Sequence, residues 1–492
     1  MDILLDLRWM KPGYTGGIES LARAFLNTLL EIDYSNHYTV LIPSEARFDF
    51  DLYGHKNFEL INCDGPVYFL NRLIEKIGLN RDEAFREIII AGHDIHCDVA
   101  LSLAGYTNPD LMRLPTVLVV PDLQHEFFPQ YFSAIELDNR KKAFTSSIEN
   151  AQLICAISAF TRLTIIEKRH IAGERIIVTP LAVEPQFFQP PSPDAQNGVM
   201  KKYGLKPGYL FYPAATWPHK NHLALIQALQ LLRDRMGIRI DLVCSGTAKE
   251  AQADISAAIQ QNNLTGQVHF LGYVPQEMLG SLFRQAVALI FPSLFEGFGM
   301  PLLEAMACGC PVLCSNTSSL PEVAGDAAIF FDPTDPMAIA LAIQRLLQND
   351  LARQALIARG KVRVENYSWT RFTLQVLQQA FYAAKGYRSD RPFQEMNDTE
   401  AAKWLPVLIP NQPGAPHEKN GRSLMVQLKT SHHRLALPWL HKALDAKKQH
   451  QPLESAIFGL LAFVLSPRAA FISIIFPAIR DAIRQVRAVD QV

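Results

Sequence analysis

A rhythm constrains this chain more than any single residue does. Short apolar runs alternate with amphipathic stretches, and the alternation occurs twice. Residues 3–7 predict a first strand; Gly16 and Gly17 follow, then a helix with Ile18, Leu21, Ala22, Phe25 and Leu29 on one face. Residues 38–42, 99–103, 116–120, 153–157 and 176–179 predict further strands, and 137–151 predicts a helix between two of them. Apolar strands separated by helices predict a parallel sheet covered on its faces. The proline-rich run 187–194 interrupts the rhythm and suits a linker. Strands at 209–213, 240–245, 268–272, 287–291 and 311–315 then resume it.

The fold class expected is therefore α/β: two Rossmann-like domains facing across a cleft, plus a C-terminal extension. The domains predicted are 1–187, a linker over 188–200, 201–370, a closing helix over 371–385 as the last of the second unit, and an extension over 395–492. Such pairs bind ligands between them, at the carboxyl ends of the strands.

Charge narrows the function. Lysine plus arginine is 47 and aspartate plus glutamate is 48. That balance argues against a protein held mainly by nucleic-acid phosphates. Seven cysteines, odd in number and scattered, predict buried small hydrophobes rather than a disulfide framework. His93, His96 and Cys97 make an incomplete ligand set, so 92–98 is expected as a loop entering a strand at Val99, with no metal. The N-terminus shows no basic region ahead of an apolar stretch, and no apolar run reaches the roughly 18–20 residues of a membrane span. A cytoplasmic location is expected, with contact at the cytoplasmic face of a membrane left open.

The most informative stretch runs from Phe291 to Pro311. A strand ends near Pro292, and a loop carries Glu296, Gly297, Phe298 and Gly299. Pro301 stands where a first helical position belongs, and Gly309 where the helix stops. Glycines admit close backbone approach, and a helix N-terminus suits a phosphate. Glu296 and Glu304 both come within reach of one ligand, as acceptors for hydroxyl groups.

In this frame the stretch resembles the signature of family 4 of the retaining, nucleotide-sugar-dependent glycosyltransferases (glycosyl transferases group 1): a glutamate, seven residues, a glutamate, in a Phe-Glu-Gly-Phe-Gly-like segment. The segments 5–30, 209–222, 268–275 and 318–323 resemble other parts of that family in the right order. The resemblance implies the two-domain GT-B fold, with the donor nucleotide mainly on the second domain and the acceptor mainly on the first. It implies that Glu304 holds the donor ribose and Glu296 the transferred sugar. The backbone of Gly297, Phe298 and Gly299 would meet sugar hydroxyls, and that of Met300, Pro301 and Leu302 the diphosphate. Lys220 would stabilise the leaving diphosphate, Tyr273 and Val274 lie in the base-contacting turn, and Gly16 and Gly17 would let the first-domain loop close over the phosphates.

Three departures stand out. The family arginine five residues before the lysine is Ala215 here. The family histidine near the acceptor is Pro121, which leaves His125 and Asp122 as candidates, His125 as the catalytic one. The usual Asn-Gly-Val-Asp is Leu181-Ala182-Val183-Glu184.

The function implied is transfer of a sugar, a hexose in the first instance, from a nucleoside diphosphate sugar to a hydroxyl of a glycan or lipid-linked acceptor, with retention of anomeric configuration. No cofactor or catalytic metal is implied. The alternative is a catalytically silent sugar-nucleotide-binding or scaffold protein of the same fold, fed by the missing arginine and histidine. A dinucleotide-binding enzyme would need Gly-x-Gly-x-x-Gly after the first strand, which residues 13–17 do not supply. In the tail, apolar runs at 456–465 and 469–479 flanked by Arg468 and Arg480 suit either a packed helical pair or a membrane interface.

Overall fold

The computed structural model describes residues 1–11, 16–49, 55–63, 87–90 and 93–386. The expected extension over 395–492 lies outside the described residues, as do residues 13–15.

In the first lobe the elements are β1 (Asp2–Asp6), α1 (Gly17–Ile32), β2 (His37–Ile42), β3 (Phe58–Asn62), β4 (Glu87–Ile90), β5 (His93–His96), β6 (Val99–Ser102), β7 (Thr116–Val120), α2 (Gln124–Phe127), α3 (Ala134–Asn150), β8 (Leu153–Ala156), α4 (Ala159–Arg169) and β9 (Ile176–Val178). Seven strands form one sheet in the order β3-β2-β1-β6-β7-β8-β9, and every pairing is parallel. Its central strands are apolar because helices cover both faces: every residue of β6, β7 and β8 is buried. Each fully buried aliphatic side chain there contributes about 1.5–3 kcal/mol.

The second lobe holds α5 (Pro193–Tyr203), β10 (Tyr209–Pro213), α6 (His222–Met236), β11 (Leu242–Ser245), α7 (Gln252–Gln261), β12 (Val268–Phe270), α8 (Gln276–Gln285), β13 (Ala286–Phe291), α9 (Met300–Ala307), β14 (Val312–Ser315), α10 (Leu320–Ala324), β15 (Ala328–Phe331), α11 (Pro336–Leu347) and α12 (Asp350–Val364), and α13 (Trp369–Ala384) follows. Its six-stranded sheet runs β12-β11-β10-β13-β14-β15, again all parallel. In each sheet the order reverses beside the lobe's first strand, between β1 and β6 and between β10 and β13. Those switch points open crevices beyond the carboxyl ends of the strands, and these crevices position the site.

Three expectations need correction. The expected linker over 188–200 is largely helix α5. Ser192 caps it by accepting from the Ala195 N–H, and Pro193 sits at the first turn, where its missing N–H costs nothing. Gln196 donates to Ser281 O at 2.9 Å, which ties α5 to the second lobe. The chain crosses between lobes earlier, near Phe187, whose ring packs edge-on to Phe283 and whose carbonyl accepts from Arg284 at 2.6 Å.

The expected closing helix does not finish the second lobe. α13 crosses back and packs against α1, β6, β7 and β8 of the first, with Phe372 edge-on to Phe25 at 6.0 Å. Residues 372–380 are all buried, so this helix presents no solvated stripe.

The segment around His93 is a strand rather than a loop: β5 pairs antiparallel with β4 in a separate hairpin.

Candidate functional site

The second-lobe side is built by two loops. After β10 the chain makes a tight turn over Pro218–Lys220, and Asn221 takes the left-handed conformation, φ 61°. Asn221 Nδ2 donates to Pro292 O (3.1 Å) and Pro333 O (2.7 Å), while the Leu294 N–H donates to His219 O (2.8 Å) and the Tyr212 hydroxyl to Lys220 O (2.6 Å). The backbone of Lys220 is thus fixed from several sides. Its ammonium meets Glu296 Oε1 at 2.6 Å. Burial first, then the Lys220 charge, pushes both His219 and His222 down to about 3. Neither imidazole carries positive charge near neutrality, so Lys220 is the cation this loop offers.

The second loop, 292–299, is pinned by the serines that follow β14. The Glu296 N–H donates to Ser318 Oγ (3.0 Å), and Ser319 Oγ donates to the carbonyls of Glu296 and Phe298, both at 2.9 Å. Gly299 has φ 104°, and a Cβ there would lie 2.6 Å from Leu320 Cδ2. Phe298 is buried edge-on against Tyr367, so only its backbone is left for a ligand. The expected backbone triad at the start of α9 is weaker than its motif suggests. Pro301 has no N–H, and the Leu302 N–H already donates to Gly299 O at 3.0 Å. Among these positions, Met300 supplies the remaining amide.

Glu304 lies one turn inside α9, partly buried. Burial first, then the neighbouring Glu184 carboxylate, raises its carboxyl to about 7. Glu184 is itself raised, by burial and then by Glu31. The residue that replaces the family aspartate therefore faces the signature glutamate. Sequence reasoning missed this pairing, since nothing local links positions so far apart in the chain.

The turn expected to contact the base also takes shape. Gly246 (φ 129°) donates its N–H to Gly272 O at 2.7 Å, and a Cβ at Gly246 would lie 2.6 Å from Ala214 C. The ends of β10, β11 and β12 therefore converge. Val274 is buried, and Tyr273 is 67% exposed. In the first lobe Gly16 caps α1 with φ 62°, and Gly17 is its first residue; a Cβ on either would meet open space.

Across the cleft, the loop after β7 comes up against the second lobe. A Cβ on Gly297 would stand 2.1 Å from Pro121 O and 2.9 Å from Asp122 Cβ. Asp122 accepts from the Gln124 N–H at 2.8 Å, and its carboxyl is raised by burial, with Glu296 raising and Lys220 lowering it. Asp122 thus faces the Lys220–Glu296 pair. His125 does not join them. Its ring is 1% exposed, packs against Phe144 at 4.9 Å, and is pushed down to about 4 chiefly by burial. Helix α2 turns it toward the core while Asp122 stays at the rim.

Another feature escaped the sequence reading. At the carboxyl end of β1, Arg8 pairs with Asp6 (2.8 Å) and Asp110 (2.6 Å), and Asn108 donates to Asp6 at 2.7 Å. Only the sheet brings these together. No group of three or more His, Cys, Asp or Glu residues among the described ones is placed to hold a metal ion.

Comparisons with known proteins agree with this geometry. Residues 199–363 match the model of the family described as Glycosyl transferases group 1. Over 250 residues the chain is 37% identical to O-antigen chain mannosyltransferase B of Escherichia coli, covering 51% of this chain and 65% of that protein. It is 28% identical to O-antigen chain mannosyltransferase RfbU of Salmonella typhimurium, over 48% of this chain and 62% of the relative. The matched segments thus span less than two thirds of these relatives' own length. Among solved structures, sucrose-phosphate synthase from Thermosynechococcus elongatus superposes with a TM-score of 0.60 at 18% identity, covering 79% of this chain and 100% of that one. Anabaena HepE, solved with UDP and glucose, gives 0.57 at 18% identity, covering 77% and 98%. These likenesses show the fold, the two-lobed GT-B arrangement.

Proposed function

We propose, from the match of residues 199–363 to the glycosyl transferases group 1 family, that the chain moves a sugar from a nucleoside diphosphate sugar to an acceptor hydroxyl, retaining anomeric configuration. The observation that carries this reading is the 2.6 Å pair of Lys220 and Glu296 beside the Gly297–Gly299 loop and the start of α9. A diphosphate arriving at that helix start draws Lys220 toward its negative oxygens. Glu296, released from the pair, then accepts hydrogen bonds from hydroxyls of the sugar. Glu304 binds the ribose diol, as an acceptor when ionised and as a donor too when protonated.

The protein's contribution is positioning and charge stabilisation. Lys220 stabilises the charge that develops on the leaving phosphate as the glycosidic bond breaks. The acceptor attacks on the same face, and the leaving phosphate oxygen takes its proton. Such a course needs no carboxylate pair at glycosidase spacing. Asp122, facing the pair from the first lobe, is the polar group best placed to orient the acceptor or the sugar; buried His125 is left a supporting role.

The names of the relatives favour mannose as the sugar and a growing glycan as the acceptor. The test is a panel of nucleoside diphosphate sugars, GDP-mannose and UDP-glucose among them, read by donor hydrolysis and thermal stabilisation. A ligand at about 100 times its Kd should stabilise the protein by roughly 2.7 kcal/mol. Absence of both signals across the panel would overturn the reading.

A further inference from the structure

The first turn of α4, in the first lobe, touches the second lobe at three separate points. The N–H groups of Ala159 and Phe160 donate to Glu322 Oε2 (3.1 Å) and Oε1 (3.3 Å). The Thr161 hydroxyl lies 3.4 Å from Gly297 O, as well as 3.1 Å from Pro121 O in its own lobe. The Phe160 ring lies 5.5 Å from Phe295, edge-on, in a cluster with Phe127 and Phe128.

The local sequence explains why Glu322 is needed. Ser158 caps α4, but among the helix's first amides its Oγ reaches only that of Thr161, at 3.0 Å. The first two amides of the helix would otherwise lack an acceptor. A carboxylate at a helix N-terminus also meets the positive end of the helix dipole. Glu322 is held firmly from behind. Arg363 donates to the carbonyls of Glu322 and Val323, and the Tyr367 hydroxyl donates to Val323 O at 3.2 Å. The side chain therefore spans the cleft from a braced helix.

We propose that Glu322 is a positioning residue that latches the two lobes in the closed arrangement by completing the cap of α4, and so sets the Phe295–Gly297 loop against the first lobe. The latch itself does not depend on the assigned activity. Its consequence for sugar transfer rests on the glycosyltransferase reading, because Glu296 is carried on the loop that the latch seats.

The test uses hydrogen exchange on the full chain, read at residues 294–298 and at the first turn of α4. Glu322→Ala removes the acceptor. Ala159→Pro removes one donor from the other lobe, and should be tolerated because proline suits the first helical position and Ser158 is already extended. Glu322→Gln keeps the shape and removes the charge. Each single substitution should speed exchange at 294–298 roughly tenfold, as expected for lost hydrogen bonds to a charged group. The Ala159→Pro/Glu322→Ala double variant should be no faster than Glu322→Ala alone. Exchange in β13 should stay unchanged. Unchanged exchange at 294–298 in Glu322→Ala and Glu322→Gln would overturn the latch, as would effects that simply add in the double variant. A silent donor panel with a positive exchange result would sink the activity and leave the latch standing.

Discussion

At the scale of single residues, Lys220 and Glu304 bear the proposal. Removing one preorganised charge contact typically costs about 10²–10³-fold in rate. Lys220→Ala should show a loss of that size in kcat/KM with the active donor, and so should Glu304→Ala; wild-type turnover in either would remove that residue from the site. Glu304 also makes a prediction about pH. Its carboxyl is raised from 4.5 to about 7, so the folded state holds a proton that the unfolded chain releases. Stability should therefore fall as pH rises from 4.5 toward 7. Glu304→Gln escapes this cost. Its melting temperature should match wild type near pH 4 and exceed it near pH 8, by an amount corresponding to on the order of 3 kcal/mol. An advantage equal at both pH values would contradict the assignment.

Elements show how local sequence and tertiary context divide the work. Strands β7 and β10 were legible because four apolar residues in a row, bounded by turn signals, have few other uses. Helix α9 was legible from Pro301 at its start and Gly309 at its end. Helix α5 was hidden because 190–193 reads as Pro-Pro-Ser-Pro, a loop signal, although its last proline is an N-terminal helix signal. For α13 the helix was visible but its lobe was not, since periodicity does not say which surface a helix packs on. Phe372→Ala should therefore destabilise the first lobe, by about 3–5 kcal/mol as for other buried phenylalanines. Hydrogen exchange should rise in α1 and β6–β8 more than in β10–β13; the reverse pattern would return α13 to the second lobe. Gly297 tests the loop. Gly297→Ala places a Cβ against Pro121 O and should hold the lobes apart, lowering kcat/KM at nearly unchanged melting temperature; wild-type kcat/KM would show the approach to be unnecessary.

For the molecule as a whole, two parallel sheets put both switch points at one cleft, and among the described residues the chain crosses between lobes twice, near Phe187 and again before α13. The cross-cleft pairs were not legible in sequence. Glu184 with Glu304, Asp122 with Lys220, and Glu322 with the first turn of α4 all depend on how two separately folded lobes meet. The signature segment was legible because one loop and one helix carry it whole. In the proposed site the charge on a diphosphate is met by Lys220 and the start of α9, so turnover should survive a chelator; complete loss restored by one divalent cation would contradict that. The most direct test of the central claim is calorimetric titration of nucleoside diphosphate sugars into the full chain and into Lys220→Ala. The account predicts that at least one donor binds the wild type and that Lys220→Ala weakens it severely. Equal binding by the two forms, or no binding to either, would contradict a donor site built on Lys220 and Glu296.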